Sequence, residues 1–273
     1  MTQLFTRLLL ATEHTDYDSG AEAMAFALAQ RCQLPLAAVL PLVSNPEYEA
    51  LAPQIAVKAE REAASKMIQL REQASAQGVH MDLRLRRGEE PYQEIVAEAQ
   101  ALGSDMIIIR RRGKRSFFAN LLVGEMVSKV VTHAPCHVLI VPRQARMWQQ
   151  RVLVAAEATA QGQQIVAIAV AVAAQCALPI HLVCVVAAQT LCAQADAFVT
   201  EMLKLAQAQG VAAQGEVRVG KPYTEIFAAR EACQADLMVM GGRGEASIGR
   251  ALIGGVAQKV MGLADVPVMV LHI

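Results

Sequence analysis

Charged and aromatic side chains are both scarce in this chain. Asp, Glu, Lys and Arg make up only 18% of its 273 residues, and aromatics only 4%, with Trp148 the single tryptophan. Over half of the residues are apolar, which supplies a sizeable core and argues against long disorder. The 25 basic and 25 acidic residues cancel to zero net charge, so a polyanion-binding surface spread over the whole molecule is excluded and only local patches remain. The six cysteines (Cys32, Cys136, Cys176, Cys184, Cys192 and Cys233) form no C-x-x-C pair and no disulfide-framework spacing. Together with the lack of a signal-peptide pattern in MTQLFTRLLLATEH, this leads us to expect buried, reduced thiols in a cytoplasmic protein.

Catalytic signatures are missing as well. There is no G-x-S-x-G elbow, no H-E-x-x-H and no G-x4-G-K-(S/T) loop. His133, Cys136 and His137 lie close together, but no fourth ligand accompanies them, so no metal is expected. Nothing nominates a nucleophile or a base, and the chain is not expected to be an enzyme. From Ala158 to Ala195 there is no charged residue at all. A spanning helix needs about 20 apolar residues. Here Gln175, Pro179 and His181 break the run into an Ala-rich helical half and a β-branched half, IHLVCVV. A buried helix followed by a buried strand is the expectation, with no membrane span.

What the sequence does contain is itself, twice. RLLLATEHT at 7–15 answers RVLVAAEAT at 151–159, and LAQRCQLPLAAVLPLV at 28–43 answers VAAQCALPIHLVCVVA at 172–187. GEEPYQEIVAEAQALGSDMIII, from Gly88, answers GKPYTEIFAAREACQADLMVM, from Gly220, and HVLIV at 137–141 answers PVMVL at 267–271. The polar stretch between the copies sets the expected division: a domain at 1–143, a linker at 144–150 and a domain at 151–273. In each copy short continuous apolar runs alternate with helical stretches, two of which begin at Pro91 and Pro222. That order predicts an α/β fold: two tandem copies of a doubly wound, mostly parallel five-stranded sheet with helices on both faces. Ligands of such sheets sit at the carboxyl ends of the strands.

After the fourth apolar run of the second copy comes GGRGEASIGRALIGG, residues 241–255. Glycines there let backbone N–H groups approach an anion without a Cβ between them, and the last of them opens a helix whose N-terminus favours negative charge. The first copy keeps the outline but not the glycines: Arg110 stands for Gly241, ten residues rather than nine separate Gly113 from Gly124, and Glu125 begins the next helix. Glu125 is expected to place its own carboxylate where a phosphate would sit, and this copy is read as structural. Its loop carries Arg110, Arg111, Arg112, Lys114 and Arg115, which read as a solvated basic patch; with only Phe117 and Phe118 beside them, nucleic-acid binding is not expected.

The spacing G-x2-G-x9-G at Gly241, Gly244 and Gly254, the turn Gly220-Lys221-Pro222 and the terminal PVMVL resemble the universal stress protein family, and the resemblance covers both halves of the chain. It implies an adenine nucleotide (ATP, ADP or AMP, with Mg as an optional companion) in the second domain, bound rather than turned over. Ala155 and Glu157 would lie at the first strand, Val185 would present backbone to the adenine edge, and Gly241, Arg243, Gly244, Gly254, Gly255 and Val256 would surround ribose and phosphates. Two positions depart from the family: Gly255 stands where a Ser or Thr is usual, and Glu157 where an Asp is usual. The alternative is a nucleotide-free scaffold of the same fold. The resemblance further implies pairing of the last strands, as an internal pseudo-dimer or in a homodimer.

Overall fold

The computed structural model describes residues 5–13, 18–111, 124–242 and 253–273. They divide into two compact units, the first running to Met147 and the second starting at Trp148. The first unit contains β1 (Leu8–Ala11), α1 (Ser19–Cys32), β2 (Leu36–Val43), α2 (Pro46–Leu51), α3 (Pro53–Ala76), β3 (Met81–Gly88), α4 (Pro91–Leu102), β4 (Met106–Arg110), α5 (Glu125–His133) and β5 (His137–Val141). The second contains β6 (Val152–Ala155), α6 (Ala160–Cys176), β7 (Ile180–Val186), α7 (Cys192–Ala208), β8 (Ala213–Val219), α8 (Pro222–Cys233), β9 (Leu237–Gly241), α9 (Gly255–Leu263) and β10 (Val268–Leu271).

Strand order is the same in both units. It runs β3-β2-β1-β4-β5 in the first and β8-β7-β6-β9-β10 in the second, every pairing parallel. The central strands are buried because they are uninterrupted apolar runs: Leu8, Leu9 and Leu10, Ile107 and Ile108, and Val152, Leu153 and Val154 are all 1% exposed or less. A strand of that kind has no solvent face, so helices must cover both sides. In the second unit α6 packs with α7 and α8 with α9, two helices to a face. The uncharged stretch 158–195 folds as expected, into buried helix α6 and buried strand β7 before the start of α7. Among the described residues no helix is long and apolar enough to cross a membrane.

Each unit ties its first strand to its fourth with one aspartate. The Asp105 carboxylate, just before β4, accepts from the Arg7 N–H at 2.8 Å and from the Thr6 hydroxyl at 2.7 Å. The Asp236 carboxylate, just before β9, accepts from the N–H groups of Gln150 at 3.0 Å and Arg151 at 3.0 Å. The chain entering β6 is therefore held by the second unit, and Trp148, within the stretch read as linker, is buried at 1% exposure. The α1, α6 and α8 helices all end on a left-handed residue that is not glycine, Gln33, Ala177 and Gln234, whereas α4 ends on Gly103.

Burial alone would raise the pKa of Asp105, but the hydrogen bonds from Thr6 and Arg7 outweigh it and hold the carboxyl below its usual value. A group depressed in this way stabilises fully above the ordinary carboxylate pKa and loses that contribution as pH falls through the folded-state value. Asp105→Ala is expected to cost about 1.5–3 kcal/mol at pH 7 and to flatten the acid side of the stability curve. Urea melts from pH 7 to pH 3 check both.

Candidate functional site

In the second unit a cavity of about 420 Å³ opens at the carboxyl ends of β6, β7 and β9. This is the point where strand order reverses, and crevices form there because the crossovers leave in opposite directions. Ala155 and Glu157 line it at the end of β6, Val185 at the end of β7 and Gly241 at the end of β9, with Gly254, Gly255 and Val256 at the start of α9. Seven of the nine residues named from the sequence thus border one space; Arg243 and Gly244 lie outside the described residues. Thr159, Gln161, Gly162 and Ile165 of the α6 entry also line it, as do Pro222 and Ile226 of α8. Sequence reasoning missed these. A signal existed in T-x-x-G: the Thr159 hydroxyl accepts from the Gly162 N–H at 3.0 Å and caps α6. Gly162 is required by close approach, since a Cβ there would sit 1.9 Å from the Glu157 carbonyl oxygen.

The α9 end of the cavity is a helix N-terminus. Gly254 caps the helix, and its N–H donates to the Gly242 carbonyl at 3.0 Å, joining the start of α9 to the end of β9. The first-turn N–H groups of Gly255, Val256 and Ala257 have no acceptor within the helix, as at every helix start, and all three residues border the cavity. At Gly255 an added Cβ would meet no heavy atom within 4 Å, so space for a side chain is present where none is carried. Among the described lining residues Glu157 is the only charged one. Nearby, burial raises the pKa of the Cys184 thiol, the Ala158 backbone partly opposes this, and the Glu157 and Asp196 carboxylates add to the rise. All six cysteines are free.

The corresponding place in the first unit is filled. Only about 10 Å³ remains between Thr12, Glu13, Asp18 and Arg110. Arg110, at the position of Gly241, turns its guanidinium inward onto the Asp18 carboxylate, with Glu13 at 3.8 Å. A buried polar chain continues from there: the Thr12 hydroxyl donates to Glu22 at 2.7 Å, and Lys66 pairs with Glu22 at 2.9 Å, both ions 5% exposed or less. The repeat places Ala156, Gly162, Val166 and Phe198 at the positions of Thr12, Asp18, Glu22 and Lys66. The first unit has exchanged small and apolar residues for a charge-balanced network. Glu125, expected to block this site, does not: its side chain is 81% exposed and pairs with Lys129 one turn on, at 3.1 Å. The i,i+4 partner draws it outward, and Arg110 does the filling. Among the described residues no three His, Cys, Asp or Glu side chains cluster to hold a metal. His137 stacks edge-on against Phe5, and burial lowers its pKa against the opposing pull of Asp105. Cys136 beside it is pushed up to about 12 by burial and by Asp105.

The model of the universal stress protein family matches residues 4–142 and again residues 149–272. The chain belongs to the universal stress protein family. It is a tandem member, with one family domain in each unit. A universal stress protein from Synechocystis sp. is 27% identical over 165 residues, covering 60% of this chain and 57% of that one. One from Methanocaldococcus jannaschii is 40% identical over 67 residues, 24% of this chain and 39% of its own. The chain thus spans about half the length of the curated relatives it matches. Among solved structures, a universal stress protein from Archaeoglobus fulgidus superposes with a TM-score of 0.78 at 19% identity, covering 98% of this chain and 96% of that one. A functionally unknown protein from Pseudomonas aeruginosa PAO1 does so with 0.73 at 21% identity, covering 98% and 93%. At such identities the likeness is one of fold.

Within this tandem universal stress protein, Arg110 is expected to be essential to the first domain's stability. Burial raises the pKa of Asp18, and Arg110, Thr12 and Lys66 bring it only part of the way back. Arg110→Gly would leave that carboxylate buried without its cation and is expected to cost about 3 kcal/mol at pH 7. A carboxyl with a raised folded-state pKa takes up its proton more readily folded than unfolded, so the deficit should shrink as pH falls toward that raised value. Denaturant melts of wild type and variant at pH 7 and pH 5 measure the difference.

Proposed function

We propose that this protein binds an adenine nucleotide in its second domain, as ATP, ADP or AMP, and acts by binding rather than by catalysis. The observation that carries the reading is the convergence of Ala155, Glu157, Val185, Gly241, Gly254, Gly255 and Val256 on one cavity of about 420 Å³. That volume falls in the range of small-molecule sites, roughly 300–1,000 Å³. Its apolar walls, Ile165, Val183, Ile226 and Met240, suit a flat base. The start of α9 supplies backbone donors to phosphate oxygens. Magnesium would be carried by the phosphates of a triphosphate, not by a protein cage. The first domain takes no nucleotide in this reading, because Arg110 and its network occupy the equivalent volume.

The nucleotide-free scaffold is the competing reading. It is favoured by the side-chain donor missing at Gly255 and by Glu157 as the one charged lining residue among those described. Titration calorimetry with ATP, ADP and AMP, with and without Mg, separates the two. One saturable site per chain is expected. Gly255→Ser has room for its hydroxyl and is expected to tighten binding about tenfold or more, the value of one hydrogen bond to a charged group. Gly255→Glu, whose Cβ likewise meets no heavy atom within 4 Å, should weaken it by about tenfold or more through like charge at the helix start. No heat from wild type or Gly255→Ser at millimolar ligand would leave the scaffold reading standing.

A further inference from the structure

The first domain has closed the inner part of its strand-end crevice, but beside it lies an open groove of about 570 Å³. One wall is the start of α3, where Ile55, Ala56 and Ala59 recur at helical spacing after Ala52, the residue that precedes the helix. The other is the end of β2, at Pro41, Leu42 and Val43, with Pro91 at the start of α4. Among the described residues the stripe on α3 is only partly covered: its alanines are half-buried and Ile55 is exposed. The helix buries only Ala63, Lys66, Leu70 and Ala74, so none of its first ten residues, 53–62, is fully buried, although Glu60 reaches Arg87 of β3 at 2.7 Å. Its counterpart α7 is 17 residues long against 24 and buries Ala195 in its first turn. Leu51, Ile55 and Val43 consequently remain 82%, 65% and 62% exposed. A contiguous apolar surface left in water on a folded domain marks a binding site.

The polar groups lining the groove are Glu13, Glu49 and Asn45, and no Lys or Arg lines it among the described residues. Glu13 is partly balanced by Arg110 at 3.8 Å. Glu49 accepts from the neutral Ser44 hydroxyl at 2.7 Å, so its charge is not cancelled there. Among the described residues, an anionic amphiphile or a nucleotide would face lining carboxylates and no lining cation. An apolar body with a positively charged end fits both the walls and the rim. We infer that the first domain binds a cationic amphiphile, of the size and class of a medium-chain amine, in the groove between α3 and the end of β2.

The full chain titrated with Nile red, a neutral apolar probe, tests this. One probe per chain is expected, displaced by decylammonium at about tenfold lower concentration than by decanoate at pH 7, as the rim charge requires. Ala56→Phe, which fills the groove, should weaken Nile red uptake about tenfold or more. Ile55→Ser, at an exposed position that leaves the fold alone, should weaken it by about threefold or more. Glu49→Gln should narrow the preference for the amine while uptake persists. Gly255→Glu, in the other domain, should leave all of this unchanged. The inference is overturned by absence of saturable uptake, by unaltered uptake in Ala56→Phe and Ile55→Ser, or by equal displacement by amine and carboxylate. It is also overturned if sedimentation shows self-association that Ile55→Ser abolishes, for then a second copy covers the groove.

Discussion

Both domains depend on the pairing of their first strand with their fourth. β1 lies in register on β4 and β6 on β9, each pair fully apolar and each fastened at its amino end by an aspartate that receives incoming backbone N–H groups. From that pair the chain winds outward in both directions, which puts a crevice at the carboxyl ends. Every later feature is a consequence of what each domain puts there. Because parallel strands need crossover helices on both faces, the sheet itself offers nothing polar to a ligand. Chemistry is confined to the strand ends and the helix starts beside them.

The two domains use this crevice in opposite ways. In the second, small residues at Ala156, Gly162 and Gly241 keep the backbone bare, and Val166 and Phe198 make the support beneath it apolar. In the first, Thr12, Asp18, Glu22, Lys66 and Arg110 fill the same place with paired charges. A buried network of this kind tolerates loss of one member poorly, since its partner is then left charged and unsolvated. The exchange therefore acts as a set: a single reversion such as Arg110→Gly opens space and strands a carboxylate at the same time. A lengthened α3 then shifts the first domain's accessible surface outward, from a phosphate-sized crevice to an apolar groove.

Most of the fold was legible in the sequence. The runs at 8–11, 36–43, 152–155, 180–186 and 137–141 are strands with those bounds, and helices start at Pro91 and Pro222, because continuous β-branched and Leu-rich runs between turn signals have one stable use. The residues on the second cavity were legible through glycine spacing, which reports a backbone need directly. Thr159 and Gly162 were harder to see, since their roles depend on how closely α6 approaches the turn after β6. Glu125 was misjudged because helix-start electrostatics favour a carboxylate there whichever way it points. The outward choice came from Lys129 four residues on.

The sequence by itself determined the repeat, the order of strands and helices, and the asymmetry of glycine and arginine between the two loops, because periodicity and backbone requirements are local. Tertiary structure alone decided that Arg110 turns inward to Asp18 and that Lys66 and Glu22 are a buried pair. It also decided that Trp148 belongs to a core and that the first turns of α3 bury no side chain fully. Each of these joins residues far apart in the chain or depends on where a helix leaves the sheet. The energy of a buried charge is set by the partner folding brings to it, which no local pattern encodes.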